Sequence, residues 1–308
     1  MEHGAGGRRA HHGLGVKYED DWVGRYYVQK SALITMDLAP TISYRVNDWL
    51  SIGAGPVFQY AYLKTTAAVN NVVPLGVPDG QLEYKADSVG FGGAGGILVE
   101  PWKGTRFGLT YMSPIEQTFK DRPTFSNLGP INANLPARLG EVKIKMTMPQ
   151  AVMFSAFSQV TEKWAVMGNL GWQNWAQFGF VPLSISNTAG TTVSSTKDAQ
   201  LDNTFHVAVG AHYRFHPQWR ATAGFAYDSS PVSDANRTVA MPLDRTLRYS
   251  AGLIYEVNPR ITLGLAYTFI DAGSAPVNET RGPLSGTIQG DFSSNYINVI
   301  ALNVAARF

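Results

Sequence analysis

The sequence contains no cysteine, which excludes disulfides and thiolate chemistry. Charged residues make up only 16% of the chain, whereas about a quarter is usual in a soluble protein. A net charge of +2 argues against a basic nucleic-acid-binding face. No run of about 18 apolar residues occurs, so the sequence predicts no transmembrane helix.

Glycine and aromatic residues are abundant, with 31 glycines and 12% Phe, Trp and Tyr. Together with low charge and no long apolar run, this composition is typical of a transmembrane β-barrel. Residues 1–12 lack the apolar segment of a secretory signal, which an outer-membrane protein requires. We therefore expect the natural N-terminus to lie upstream. Residues 1–31 should be an irregular remnant and an extracellular loop of one barrel domain that spans 1–308.

Hydrophobic residues recur with a period of two, which predicts strands. Between residues 205 and 215 one face is apolar with aromatic ends, and the other is small or polar, as in a lipid-facing strand. The outward face should include Val207, Val209, Ala221, Ala223, Leu253, Leu263, Leu265 and Leu302. We predict about eleven strands, at 32–46, 49–64, 86–100, 104–120, 143–160, 163–182, 202–215, 218–229, 245–257, 260–272 and 294–308.

The connections alternate between tight turns and long loops, which match periplasmic turns and extracellular loops. The long loops cover 65–85, 121–142, 183–201, 230–244 and 273–293. The last strand ends in Phe308, resembling the signal read by the barrel assembly machinery. An odd strand count conflicts with the even number usual in bacterial barrels, so we expect N-terminal strands to be missing. The strand from Leu33 to Val46 should then lack a neighbour.

Several short segments fall in a characteristic order at strand ends: 35–38, 44–47, 92–100, 109–111, 148–149, 174–178, 228–232, 237, 244–245 and 249–252. They resemble the outer-membrane long-chain fatty-acid transporters (FadL-type) and their aromatic-hydrocarbon relatives, from about residue 13 to residue 308. The resemblance implies a fourteen-stranded barrel plugged by an N-terminal hatch. It also implies a groove between two extracellular loops, a lumen pocket, and sideways exit at a kinked early strand. We expect the hatch, the first strands and the kink to have no counterpart among these residues.

Two loops occupy the positions of the family's groove loops and carry apolar residues, which are a liability unless they bind something. The groove candidates are Val69, Val72, Val73, Leu75, Val77, Phe125, Leu128, Ile131 and Leu135. Alternatively, the loops pack on each other as a lid. Apolar residues on the otherwise small or polar lumen face are candidate substrate contacts, or they pack against a plug: Leu33, Val57, Leu63, Met112, Met167, Ile254, Ile270 and Val299.

A fatty-acid carboxylate requires a cation. Lys64 is the candidate by family position, with Arg245 and Arg248 as others. The alternative for each is an interior ion pair, for instance with Asp228 or Asp244. An uncharged hydrocarbon would need no cation.

No cofactor or metal is predicted. His206 and His212 lie about 20 Å apart along a strand, too far to chelate one ion. The glycine run 92–96 lies inside a strand without the Lys-Ser/Thr of a phosphate loop. It favours close packing in the wall.

The sequence therefore predicts an all-β outer-membrane barrel for passive uptake of hydrophobic compounds, with long-chain fatty acids as the first candidate. Aromatic or alkane hydrocarbons are the alternative, and a general porin is a weaker one. An outer-membrane enzyme would need a Ser-His-acid constellation, and no such motif is recognisable. Expected partners are outer-membrane lipid, lipopolysaccharide, the hydrophobic substrate and the assembly machinery, but no nucleic acid. We expect a monomer.

Overall fold

The computed structural model describes residues 3–71, 78–282 and 285–306, with side chains from residue 13 onward. Within these ranges almost all of the regular secondary structure is β-strand. Among the described residues, no helix is long and apolar enough to cross a membrane.

The elements follow one another in a simple order along the chain. They are β1 (His3–Lys17), β2 (Lys30–Arg45), β3 (Leu50–Val69), β4 (Gly80–Trp102), β5 (Thr105–Met112), β6 (Ile115–Asp121), β7 (Thr124–Ser126), a 3-10 helix (Pro130–Asn132), α1 (Leu135–Arg138), β8 (Glu141–Met148), β9 (Ala151–Gln159), β10 (Trp164–Gln173), α2 (Trp175–Gly179), β11 (Phe180–Ser186), β12 (Thr192–Asp198), β13 (Thr204–His216), β14 (Trp219–Asp228), β15 (Thr246–Asn258), β16 (Ile261–Asp271), β17 (Val277–Thr280), β18 (Thr287–Gly290) and β19 (Tyr296–Ala306).

One large antiparallel sheet forms the barrel wall. Its main path runs β1-β2-β3-β4-β5-β9-β10-β13-β14-β15-β16-β19, and β7 pairs with the end of β4. The strands differ greatly in length: β4 has 23 residues and β3 has 20, whereas β5 has 8 and β9 has 9. We call β1–β4 the tall wall.

A second sheet, in the order β12-β11-β8-β6, continues the shorter strands. We call it the cap sheet. The paired registers Met112↔Ala151 in the wall and Ile115↔Met148 in the cap sheet show that β6 extends β5 and that β8 leads into β9. Similarly, β11 follows β10 through α2, and β12 precedes β13. The cap sheet is thus the upper part of four wall strands, separated from them by short breaks.

Each of the eleven predicted strands is confirmed, but several boundaries are wrong. The predicted strands 104–120, 143–160 and 163–182 are interrupted at residues 113–114, 149–150 and 174–179. The range 183–201, expected to be a loop, instead contains most of β11 and all of β12. Its many Ser and Thr residues obscure the apolar alternation of a strand.

The expectation for the start of the chain is also wrong. Residues 3–17 are not irregular; they form β1, which pairs with β2 from His3↔Tyr44 to Lys17↔Lys30. The strand that contains Leu33 therefore has neighbours on both sides. Glycines and polar residues hid this strand from the hydrophobic pattern, because ladder hydrogen bonds need only the backbone.

The outward face agrees with the sequence prediction. Exposed positions include Val207, Val209, Ala223, Leu253, Leu263, Leu265 and Leu302, and Ala221 is half-buried. Exposed and half-buried residues alternate along β13 and β16. No second sheet covers these side chains in the described structure, which is the pattern of a lipid-facing wall.

The apolar face of the cap sheet packs against the lumen face of the tall wall. Phe119 and Gln117 on β6 are fully buried, and Gln117 Nε2 donates to Gln59 Oε1 on β3 at 3.0 Å. A Cβ atom at Gly90 would lie 2.6 Å from Ile115 Cγ2, and one at Gly92 would lie 2.7 Å from Ile115 Cγ1. The glycine-rich part of β4 thus permits close packing, as predicted for residues 92–96.

A separate cluster joins the extracellular loops above β1, β14 and β16. Its buried members are Tyr27, Val28, Val239, Val277 and Ile288. Tyr18 stacks on Trp22 with ring centroids 4.0 Å apart and donates a hydrogen bond to the Val239 carbonyl oxygen at 2.8 Å. This loop cluster connects segments that are far apart in the sequence.

Candidate substrate chamber

A cavity of about 420 Å³ lies between the tall wall and the cap sheet. On the wall side, Leu14, Leu33 and Leu63 form one row, because Leu14 pairs with Leu33 and Leu33 pairs with Leu63. Alternation along each strand directs this row towards the lumen. The result is a continuous apolar surface across three strands.

The opposite side of the chamber comes from the cap sheet and α2. Met146 on β8, Val181 on β11 and Phe178 in α2 line it. Asn174 caps α2 by accepting a hydrogen bond from the Gln177 amide at 3.3 Å. Residues of the 230–244 connection, among them Thr238 and Met241, cover the remaining part.

Three charged residues also line the chamber, and two of them already have partners. Glu279 Oε1 accepts from Arg281 at 2.7 Å and its Oε2 accepts from the Val239 amide at 3.1 Å. Asp198 Oδ1 accepts from the Gln200 amide at 2.8 Å. Lys197, which pairs in register with Val181, makes no ion pair within the described residues. Lys197 is exposed, so an incoming anion can reach its ammonium group.

The eight predicted lumen residues lie in different parts of the structure. Leu33 and Leu63 line the chamber, and Val57 is buried at the contact with the cap sheet. Met167, Ile270 and Val299 line a second lumen cavity of about 710 Å³. Ile254 lines a third, of about 450 Å³. Met112 is half-buried at the end of β5. The structure thus brings only two of the eight to the chamber.

The three predicted carboxylate partners are all paired with acidic residues of the protein. Lys64 Nζ lies 2.6 Å from Glu83, and Arg245 lies 3.2 Å from Asp271. Arg248 lies 2.9 Å from Asp228 and lines the second cavity. These contacts match the alternative of interior ion pairs. A carboxylate role for them remains a prediction.

The two predicted groove loops approach each other at one end of the barrel, as expected. The segment 124–126 pairs with 81–83 of β4. Asn71 Oδ1 accepts from the Gly129 amide at 2.8 Å, and Asn71 Nδ2 donates to the Asn127 carbonyl oxygen at 2.9 Å. The approach of the loops is confirmed, and whether they bind substrate stays a prediction.

Individual groove candidates differ in exposure. Ile131 is 66% exposed, whereas Val69, Phe125, Leu128 and Leu135 are half-buried. Val72, Val73, Leu75 and Val77 lie outside the described residues, as does Phe308. Ile131 is therefore the described candidate best placed to meet a hydrophobic molecule from outside.

Sequence reasoning missed Lys197, Met146 and Phe178. Lys197 lies in the range 183–201 that was expected to be a loop, and in β12 it belongs to a strand with few apolar residues. The sequence signal that could have identified this strand is the turn at residues 187–190, which separates two segments of similar length and so indicates a β-hairpin.

The family model described as "Outer membrane protein transport protein (OMPP1/FadL/TodX)" matches residues 5–308. The chain belongs to this family. It is therefore an outer-membrane β-barrel protein of a transport family rather than of an enzyme family. Its function is the transport of hydrophobic compounds.

Two curated relatives with different names are similar to most of this chain. The "Long-chain fatty acid transport protein" of Escherichia coli O6:H1 is 25% identical, over 92% of this chain and 69% of that protein. "Outer membrane protein P1" of Haemophilus influenzae Rd is 28% identical, over 98% of this chain and 71% of that protein.

Solved structures support the fold. A Pseudomonas aeruginosa FadL homologue superimposes with a TM-score of 0.83 at 19% identity, covering 99% of this chain and 75% of that one. The Ralstonia pickettii toluene transporter TbuX has a TM-score of 0.67 at 16% identity, with coverages of 99% and 78%.

Proposed function

We propose that this chain takes up long-chain fatty acids passively, and that the chamber between tall wall and cap sheet holds the molecule during passage. The observation that carries this proposal is the combination of an apolar lining with Lys197, whose charge has no partner among the described residues. A leucine row suits an alkyl chain, and an ammonium group suits a carboxylate. The cavity of about 420 Å³ is within the range of small-molecule sites, roughly 300–1,000 Å³.

The relatives' names are compatible with two substrate classes. Several curated relatives are named for long-chain fatty acids, and three of the solved structures are titled toluene transporters. A hydrocarbon would gain nothing from Lys197, so this residue favours the acid.

The test is a binding titration with purified protein in detergent, using laurate and dodecanol as probes of equal chain length. Lys197→Gln should weaken laurate binding about tenfold, the loss of roughly one charge-assisted contact of 1.5 kcal/mol. It should leave dodecanol binding unchanged. Lys103→Gln, which removes an exposed charge from the turn after β4, is the matched control.

Two results would contradict the proposal. Equal laurate affinity in the wild type and in Lys197→Gln would show that the Lys197 ammonium group does not bind the carboxylate. Equal binding of both probes by the wild type, together with uptake of toluene but not of laurate by cells, would support the hydrocarbon alternative instead.

A further inference from the structure

The cap sheet has a second face, which lies opposite the one that packs on the tall wall. Ile115, Gln117 and Phe119 alternate with Glu116, Thr118 and Lys120 along β6, so the buried first set leaves the second set turned away from the wall. On β8, Lys143 and Lys145 lie on this same face, because Lys143 pairs with Lys120 and Lys145 pairs with Thr118.

The middle of this face is basic and rich in hydroxyl groups. Lys120 and Lys143 lie directly opposite each other, an arrangement of like charges that destabilises a sheet. Ser184 pairs with Lys143 on the other side, and its hydroxyl lies 2.9 Å from the Ser194 hydroxyl. Lys120 also lies 3.3 Å from Glu141 at the edge of the face. Lys143 and Lys145 make no ion pair in the part of the chain that the structure describes.

An anion bound between these lysines would relieve their repulsion. A phosphate offers several acceptor oxygens, which ammonium and hydroxyl donors can share. Two carboxylates share this face, Glu141 beside Lys120 and Glu116 at the start of β6, and both lie away from its centre. The centre of the face is therefore complementary to a phosphorylated ligand.

The height of this face above the membrane bears on the source of the phosphate. Tyr111 is 45% exposed on the outer surface of β5, and Phe91 is 67% exposed on β4. Such aromatic residues mark the boundary between the apolar membrane and its head groups. The cap sheet begins three residues beyond Met112, and Lys145 and Lys143 precede Ala151 of the wall by six and eight residues, at most about 20 Å and about 26 Å of strand. The lysines thus lie at the level of the head groups of the outer leaflet.

We propose that Lys143 and Lys145, with Lys120 and the neighbouring hydroxyl groups, form a binding surface for the phosphate groups of lipopolysaccharide. The surface would hold the glycolipid beside the region where the wall strands are shortest. It is separate from the chamber, since the lysines lie on the face of the cap sheet opposite Met146 and Val181.

The experiment measures binding of the purified protein to intact lipopolysaccharide, to the same lipopolysaccharide after dephosphorylation, and to inorganic phosphate. The test variant is Lys143→Gln with Lys145→Gln. One cation near an anionic membrane surface contributes about fivefold to binding, so the double variant should bind intact lipopolysaccharide about 25-fold more weakly. Dephosphorylated lipopolysaccharide should bind the wild type weakly and the variant equally weakly.

Two controls make the result specific. Lys103→Gln with Lys163→Gln removes two charges from turns at the other end of the wall and should not change binding. Lys143→Arg with Lys145→Arg keeps both charges and should retain most of the binding to intact lipopolysaccharide. Laurate affinity should be unchanged in all variants, which separates this proposal from the fatty-acid proposal.

The proposal is overturned if intact and dephosphorylated lipopolysaccharide bind the wild type equally. It is also overturned if the turn control weakens binding as much as the test variant does. Binding of inorganic phosphate as tight as that of intact lipopolysaccharide would show a general anion site and would equally exclude a lipid-specific surface.

Discussion

Two pairs of facing prolines lie in two hairpins of the wall, and their consequences differ. Pro40 and Pro56 face each other between β2 and β3, where the ladder pauses between Leu38↔Phe58 and Ile42↔Ala54 and resumes in the same register. Pro114 and Pro149 face each other in the same way in the hairpin that contains β5 and β9, between Met112↔Ala151 and Ile115↔Met148. The first pair leaves both strands in the wall, whereas the second separates wall from cap sheet.

The strands on either side explain the difference. Proline removes a backbone donor and weakens a ladder locally. At the first pair, Pro40 still pairs with Gly7 of β1 and Pro56 with Gly93 of β4, so continuous neighbours hold the sheet in line. At the second pair, β10 ends at Gln173 and α2 follows. On the other side β4 has no ladder with β6 among the described pairings. The second proline pair thus interrupts the wall because no flanking strand forms a ladder beyond it, although β4 itself continues to Gly80.

If this explanation is correct, the cap sheet keeps its position through side-chain packing against the tall wall. Phe119 is fully buried in that contact. Phe119→Ala should reduce the free energy of unfolding by about 3–5 kcal/mol, measured by urea denaturation in lipid vesicles. It should also weaken laurate binding, because the chamber lies between the same two surfaces.

The matched control is Phe91→Ala on the outer face of β4, where the side chain is 67% exposed. This substitution should reduce the free energy of unfolding much less, because removing an exposed side chain leaves no cavity inside the protein. Equal losses in the two variants would show that the cap sheet is held by its chain connections instead.

The second prediction probes the same contact from β4. Gly90→Ala places a Cβ atom 2.6 Å from both the Glu116 carbonyl oxygen and Ile115 Cγ2, so β6 must move. We expect a loss of about 1–3 kcal/mol, as is usual for overpacking. Gly95→Ala, in the same strand, meets nothing closer than 3.6 Å and should be nearly neutral. If the two variants are equally stable, β6 is not packed tightly against β4.

Much of the wall was predictable because a lipid-facing strand imposes a period of two on its sequence. The interruptions were harder to predict. Pro114 and Pro149 are visible in the sequence, but so are Pro40 and Pro56, and only the pairing of neighbouring strands decides which pair bends the sheet. β1 was missed because its glycines and polar residues show no clear apolar face.

The chamber was less predictable than the wall for a related reason. Leu33 and Leu63 were identified because they break the polar pattern of a lumen face. Lys197 and Met146 come from the cap sheet, and no local pattern shows that this sheet lies over the leucine row. Such a contact depends on long-range packing of β6 against β3 and β4.

The last and smallest prediction concerns the top of the tall wall, where the loop cluster rather than the cap sheet supplies the contacts. Burial raises the pKa of Tyr18 to about 12, and the nearby charge of Glu279 acts in the same direction. Because an unfolded tyrosine titrates near pH 10, the folded state retains a proton that the unfolded state releases. The contribution of Tyr18 is therefore complete below about pH 10 and declines as the pH rises towards about 12.

Tyr18→Phe provides the comparison, since it keeps the stacking on Trp22 and removes only the titrating hydroxyl and its bond to the Val239 carbonyl oxygen. Wild-type stability should fall more steeply than that of the variant between about pH 10 and 12, with Trp22 fluorescence reporting the loop cluster. Lysines also titrate in this range, but they do so in both proteins, and the difference between the two curves removes their effect. Parallel curves would mean that the Tyr18 hydroxyl is not buried in the loop cluster. The loops above the tall wall would then have to be held mainly by Tyr27, Arg281 and their neighbours.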